Sequence, residues 1–224
     1  MIQIDELIRS SRRSIALIVT ADGKVVVRAP KRATRAEIFA FVNEKADWIR
    51  AKQAEAKNWR AERAAPQFIS GETFLYLGKR CPLDIVTRPG MTLALVDGHF
   101  QLSAQAQPHA LELFTAWYKL QARRILNERV SFYASQHHLS YNKLRISSAR
   151  TRWGSCSSKG TLSFSWRLAM APLEVIDYVV VHELAHTLQP NHSDKFWQQV
   201  AAILPEFAGC RQWLKQNSHK LTLE

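Results

Sequence analysis

Residues 179–192 read VVVHELAHTLQPNH, and this stretch decides how the whole chain is read. His182 and His186 are four positions apart, which on a helix sets them roughly 40° apart around the axis and about 6 Å along it. Both imidazoles then leave one face and can reach one metal ion at about 2.0–2.1 Å. Glu183 lies between them, suited to contact a water on the metal rather than the metal itself. Two ligands and a general base within one turn is the logic of HExxH. The β-branched run Val175, Ile176, Val179, Val180 and Val181 would, taken alone, also suit a buried strand. Pro172 at a first helical position, Glu174 in the first turn and a length of roughly 17 residues favour a helix. Apolar residues cover most of its circumference, so it is expected to be buried. Two buried histidines need partners, and a metal supplies them.

A catalytic zinc takes a third protein ligand and keeps one position open for water. His192 is the choice, because Pro190 and Asn191 end the helix and let the chain turn back. Its spacing equals that of HExxHxxGxxH, but Gln189 stands where that motif has Gly, so the turn must differ. Glu206 is the main rival, with His219 and Asp194 behind it. In the reaction this implies, Glu183 takes a proton from a metal-activated water and returns it to the leaving group. Arg150, Arg152, Tyr178 and His137 or His138 are candidate donors to the developing oxyanion. Residues 161–168 alternate Leu162, Phe164, Trp166 and Leu168 with polar neighbours, and are expected to form an edge strand along which a peptide could pair.

Outward from this site, residues 14–20 and Val25 with Val27 form a hairpin across Asp22-Gly23. Thr34 and Glu37 form a capping box that opens one long helix running to about Arg63. The segments FLYLGKRCPLDIV (74–86) and MTLALVDGHFQLS (91–103) each read as a hairpin. Pro108 opens another long helix, followed by strands near 144–147 and 161–169 and helices near 172–189, 194–204 and 209–217. The expected class is α+β: a β-rich region at 1–106 with one long helix, then a catalytic domain at 107–224, the boundary falling between Ala104 and Pro108.

The 224 residues are 46% hydrophobic and 22% charged, which excludes disordered and fibrous classes. No apolar run approaches the length of a membrane span. Cys81, Cys156 and Cys210 are odd in number and without a CxxC pair, so neither a disulfide framework nor a zinc knuckle is expected. Cys156 reads as a packed residue in a tight turn. The N-terminus lacks a signal-peptide pattern, and the expectation is a cytoplasmic protein. The net charge of +12 raises the odds of an anionic partner. Residues 1–65 carry 14 basic and 8 acidic side chains, residues 66–110 three of each, and residues 111–224 again 14 and 8, so the excess divides into +6, 0 and +6. Residues 129–173 contain no acid at all.

The stretch from ARTRWGSC to DKFWQQV resembles the YgjP-like metallopeptidase family, relatives of the SprT-like and WLM zinc peptidases. RSSRRSIALIVTADGKVVVRAP and GETFLYLGKRCPLDI look like the same family, so the resemblance covers nearly the whole chain. Its RWGSC segment matches Arg152 to Cys156, and its HSxxFW segment matches His192 to Trp197. The resemblance implies a zincin core of the minigluzincin type, Zn²⁺ held by His182, His186 and His192, Glu183 as base, and a peptide or protein substrate. Members of this branch are also labelled UTP pyrophosphatases, so a nucleoside triphosphate is the alternative substrate, and the acid-free stretch would suit a phosphate chain. A DNA-associated protease, or a nucleic-acid-binding protein with a structural zinc, is a third reading. Against it, no zinc knuckle or DNA-binding module is recognisable.

Overall fold

The structure is a computed structural model that describes residues 2–20, 23–61, 65–87 and 90–223. β2 (Ala16–Val19) and β3 (Val25–Pro30) pair antiparallel, Leu17 against Val27 and Val19 against Val25, as the hairpin reading requires. Gly23 takes φ +83, while Asp22 of the turn lies outside the described residues. A strand that the alternation did not announce, β1 (Glu6–Ser10), pairs parallel to the other edge of β3. The sheet order is therefore β1-β3-β2. β3 is its centre, with Val25, Val27 and Ala29 fully buried.

The capping box forms: the Thr34 hydroxyl accepts from the Glu37 amide, and the Glu37 carboxylate accepts from the Thr34 amide at 2.7 Å. The expected single helix is two, α1 (Arg35–Glu44) and α2 (Ala46–Ala61). Lys45 closes α1, donating its amide to the Phe41 and Asn43 carbonyls, and the expected end near Arg63 lies outside the described residues. Ile38, Val42 and Ile49 complete the core of this part against Val25, Val27 and Ala29.

The two later hairpins also form, as β4 (Thr73–Tyr76) with β5 (Lys79–Val86) and β6 (Leu93–Val96) with β7 (His99–Ser103). β5 and β7 then pair parallel, giving one sheet of order β4-β5-β7-β6. A 3₁₀ stretch, Ala104–His109, leads into α3 (Ala110–Gln136). The chain divides into two compact units, Met1–Ala65 and Pro66–Glu224, not at the boundary expected between Ala104 and Pro108. Aromatic packing is the reason. Phe74 and Phe100 lie 4.4 and 4.9 Å from Phe114 of α3, and Phe100 meets Trp117 edge-on at 4.8 Å. The four-stranded sheet shares one core with the helix that covers it.

The third sheet holds β8 (Lys143–Ser147), β9 (Gly154–Cys156) and β10 (Thr161–Ser165) in the order β8-β10-β9. Residues 161–168 are thus not an edge strand. β10 is central, parallel to β8 and antiparallel to β9, and the chain turns into a 3₁₀ helix at Trp166. The polar turn before it supplied the missing edge, because Gly154–Cys156 pairs with 162–164. Leu162, Phe164 and Leu168 are buried as the alternation predicts. Ser165 and Arg167 are buried too, satisfied by the Ala149 and Ser148 carbonyls.

Three helices complete the mixed α+β fold: α4 (Leu173–Ala185), α5 (Asp194–Ile203) and α6 (Phe207–Asn217). Among the described residues no helix is long and apolar enough to cross a membrane. α4 is buried nearly all round, and its one carboxylate in mid-helix, Asp177, is matched by Arg129 of α3. The guanidinium donates Nε–H to Oδ1 at 2.6 Å and Nη2–H to Oδ2 at 2.8 Å, and lies over the Phe132 and Tyr133 rings. Such a fork is bidentate and geometrically demanding. Removing Arg129 strands a carboxylate in the interior, so Arg129→Ala is expected to cost about 3 kcal/mol in urea denaturation. Arg129→Lys keeps the charge but loses the fork and should recover only part of that. A full recovery by Lys would show that the geometry contributes nothing.

Candidate metal centre

α4 begins behind Pro172, whose φ of −54 suits a helix start, with Glu174 in the first turn. It ends at Ala185 with His186 as its last, half-helical residue. The Thr187 hydroxyl and amide both donate to the Leu184 carbonyl, and the Gln189 amide donates to Ala185. Pro190 cannot extend the helix, and the chain reverses. The side chain of Asn191 then accepts from the Ser193 amide at 3.3 Å. Ser193 precedes α5 in extended backbone but makes no side-chain cap. This turn does without the Gly of the related motif, and it returns His192 to the face of His182 and His186.

One ligand nitrogen from each of His182, His186 and His192 falls within a group whose members all lie within 4.8 Å of one another. Nε2 of His192 faces Nε2 of His182 at 3.0 Å. A tetrahedral ion with bonds of about 2.0–2.1 Å sets its ligand nitrogens roughly 3.3 Å apart, so this pair is already close to a ligand edge. His186 fits as well. Its Nδ1 lies 3.0 Å from the Gln189 carbonyl, and a carbonyl can only accept, so Nδ1 carries a proton and Nε2 is the nitrogen that can offer a lone pair. Nδ1 of His182 is buried without a hydrogen-bond partner among the described residues. That ring is held by packing instead, edge-on to Tyr178, Phe196 and Trp197.

Phe196, fully buried, is the floor of the cluster, its ring centre 4.9, 4.5 and 4.8 Å from those of His182, His186 and His192. Burial, then the neighbouring histidines, pushes His182 down to about 4. His192 is also lowered, by burial first and then by His186 and Arg211. Neutral imidazoles with free lone pairs are what a divalent cation requires.

Glu183 is 5% exposed. Burial raises its carboxyl to about 7, with the charge of Arg152 acting the other way. Its carboxylate lies against Gly154 of β9: a Cβ there would stand 2.6 Å from Glu183 Cγ and 2.7 Å from Cδ. No side chain fits, so the glycine of RWGSC is the space Glu183 occupies. The neighbouring Cys156 thiol is raised by burial and by Glu183, as suits a packed rather than a reactive cysteine.

Of the expected donors, Tyr178 stands one turn before His182, edge-on to it and stacked on Phe207. Arg152 acts on Glu183, and Arg150 is exposed on the same loop. His137 caps α3 and stacks on Tyr133, and His138 follows at φ 52. Neither joins the histidine group, and nor do Glu206, Asp194 and His219. Sequence reading missed Gly154 and Arg211. Arg211 of α6 places its guanidinium carbon 4.7 Å above the Trp197 ring, and Trp197 stacks on His192 at 5.8 Å. An exposed arginine on an amphipathic helix carries no signal of such a position. Gly154 did carry one, the WGSC string.

Because the three atoms nearest to a Cβ at Gly154 all belong to Glu183, the two positions should be coupled. Gly154→Ala is expected to lower stability by about 1–3 kcal/mol through overpacking. The same change in a Glu183→Ala background should cost much less, as a double-mutant cycle by chemical denaturation would measure. Equal losses in both backgrounds would refute the contact.

No curated protein and no solved structure is significantly similar to the chain. A family model does match, that of the YgjP-like metallopeptidase domain, over residues 13–217. This span covers most of both compact units, with the RWGSC glycine, the buried helix and all three clustered histidines, and the chain belongs to the YgjP-like metallopeptidase family.

Proposed function

We propose that the protein is a zinc-dependent peptidase with a zincin-type core, in which His182, His186 and His192 hold the metal and Glu183 is the general base. The observation that carries this reading is the meeting of three imidazole nitrogens within 4.8 Å at the end of a buried helix, beside a carboxylate braced on Gly154. Three imidazoles suit zinc better than magnesium or calcium, which prefer oxygen ligands. The group has three protein ligands among the described residues, and a three-ligand set leaves a position for water, the pattern of catalytic rather than structural sites. The bound ion would supply Lewis acidity, acidifying a water and polarising the scissile carbonyl.

The rest falls to the chain's own groups. Glu183, held ready by burial near neutral pKa, takes the proton of the attacking water and passes it to the leaving nitrogen. The Nδ1–H bond to the Gln189 carbonyl leaves Nε2 of His186 as the atom that would hold the ion. The phenol of Tyr178, whose ring meets His182 edge-on, and the guanidiniums of Arg152 and Arg211, whose charges act on Glu183 and His182, would be the donors to developing negative charge. A peptide substrate would pair along β9 rather than β10, since β9 ends its sheet and Gly154 touches Glu183.

The same two arginines favour a second reading, hydrolysis of a nucleoside triphosphate such as UTP at this centre. Arg152 and Arg211 flank the histidines and Glu183 with positive charge, which a phosphate chain would use fully.

Elemental analysis should find one zinc per chain, lost on His182→Ala or His186→Ala. Glu183→Gln should retain the metal while activity falls by at least about 100-fold. Full activity in Glu183→Gln would remove the proposed base from the reaction. Metal-loaded protein given an unfolded polypeptide should release peptides. Pyrophosphate released from UTP instead, sensitive to Glu183→Gln and to chelator, would transfer the assignment to the second reading.

A further inference from the structure

Within the first unit, the parallel pairing of β1 with β3 gathers charged side chains from two segments. Parallel strands deliver their following segments to the same end of a sheet. β1 and β3 finish in register, Ser10 opposite Pro30, and the Lys31 amide donates to the Ser10 carbonyl at 3.1 Å. The segments leaving them are Ser11-Arg12-Arg13 and Lys31-Arg32. With Ser10 and Pro30, the strand ends they leave, these five residues line a shallow pocket. Four cations and two hydroxyls line it, with no carboxylate.

The pocket is built rather than incidental. Arg9, one residue before it, donates a single guanidinium nitrogen toward the carbonyls of Pro30, Lys31 and Ala33, at 3.3, 3.0 and 2.7 Å. That arginine holds the second segment in place, leaving the other cations to face the pocket. The acid whose charge Arg32 feels, Glu37, is committed to the capping box with Thr34. Nε of Arg12 is buried and has no hydrogen-bond partner among the described residues. A buried donor left unmade is costly, and so is a group of like charges with nothing between them. One ligand class relieves both: an anion rich in acceptor oxygens.

We propose that this pocket binds the phosphodiester backbone of a nucleic-acid strand. Arg13, Lys31 and Arg32 are exposed and come from two separate segments, a spread that matches a row of phosphates better than one enclosed ion. The lining holds no aromatic ring, so no base is stacked and the contact reads backbone, not sequence. The excess of six positive charges, carried here by only 65 residues, favours the approach of such a polyanion. The inference is independent of the reaction at the histidines.

Fluorescence anisotropy of a labelled single-stranded oligonucleotide, titrated with the full-length protein at several salt concentrations, tests it. Binding should weaken as salt rises. Lys31→Gln and Arg12→Gln should each weaken binding and flatten the log–log salt slope by about 0.7 per contact removed. Lys31 is exposed, so its variant does not depend on the fold tolerating a change at the partly buried Arg12. Arg50→Gln, on α2 and paired with Asp47, should bind like the parent. The proposal is overturned by no binding at low salt, by equal losses for Arg50→Gln, or by release with inorganic phosphate at matched ionic strength, which would make the pocket a site for a single phosphate.

Discussion

A helix buried on nearly every side must find a partner inside the protein for each polar group it carries, and the second unit is organised around that requirement. α4 brings Asp177, His182, Glu183 and His186 into an apolar interior. Left unpaired, each would cost free energy on the scale of the whole fold's stability. Asp177 is met by the Arg129 fork. Glu183 finds room in the absence of a side chain at Gly154, and its raised pKa lessens the cost of burying a charge. The histidines meet one another and His192. The three solutions come from α3, from β9 and from the turn before α5, three of the segments packed around α4.

This arrangement also makes the centre chemically plausible. Phe196 and Trp197 exclude water from one side of the imidazoles and hold them by ring contact where hydrogen bonds are missing, as at His182 Nδ1. The His186–Gln189 bond selects the tautomer that leaves Nε2 free. Arg211 and Arg152 give the surroundings a positive bias. Each feature orders an imidazole or a charge in advance, the kind of preorganisation from which electrostatic catalysis draws.

The two units divide the charge as well as the chain. In the first, the cations that end β1 and β3 are gathered by strand register. In the second, Arg152 and Arg211 act on Glu183 and on the clustered histidines. The long acid-free stretch at 129–173 is less uniform than its composition suggests. Arg129 is consumed by Asp177 and Arg167 by a backbone carbonyl, whereas Arg152 acts on Glu183.

Sequence alone was enough for whatever depends on local spacing. The four-residue interval of His182 and His186, the capping box at Thr34 and the hairpins each rest on neighbours a few residues apart, and all are present. His192 was legible because a proline forces the chain to turn within reach. Only tertiary structure decided what depends on distant segments meeting. It added β1 and β9, whose short strands carry little pattern of their own, and it made β10 central rather than an edge. It moved the unit boundary to 65/66, because Phe74 and Phe100 stack on a helix that begins after them in the chain. It brought Gly154 under Glu183 and Arg211 over Trp197, pairs about thirty and about fourteen residues apart with no shared period. A pattern can be read along a chain when a helix or hairpin repeats it, whereas contacts across a core follow from how the elements pack.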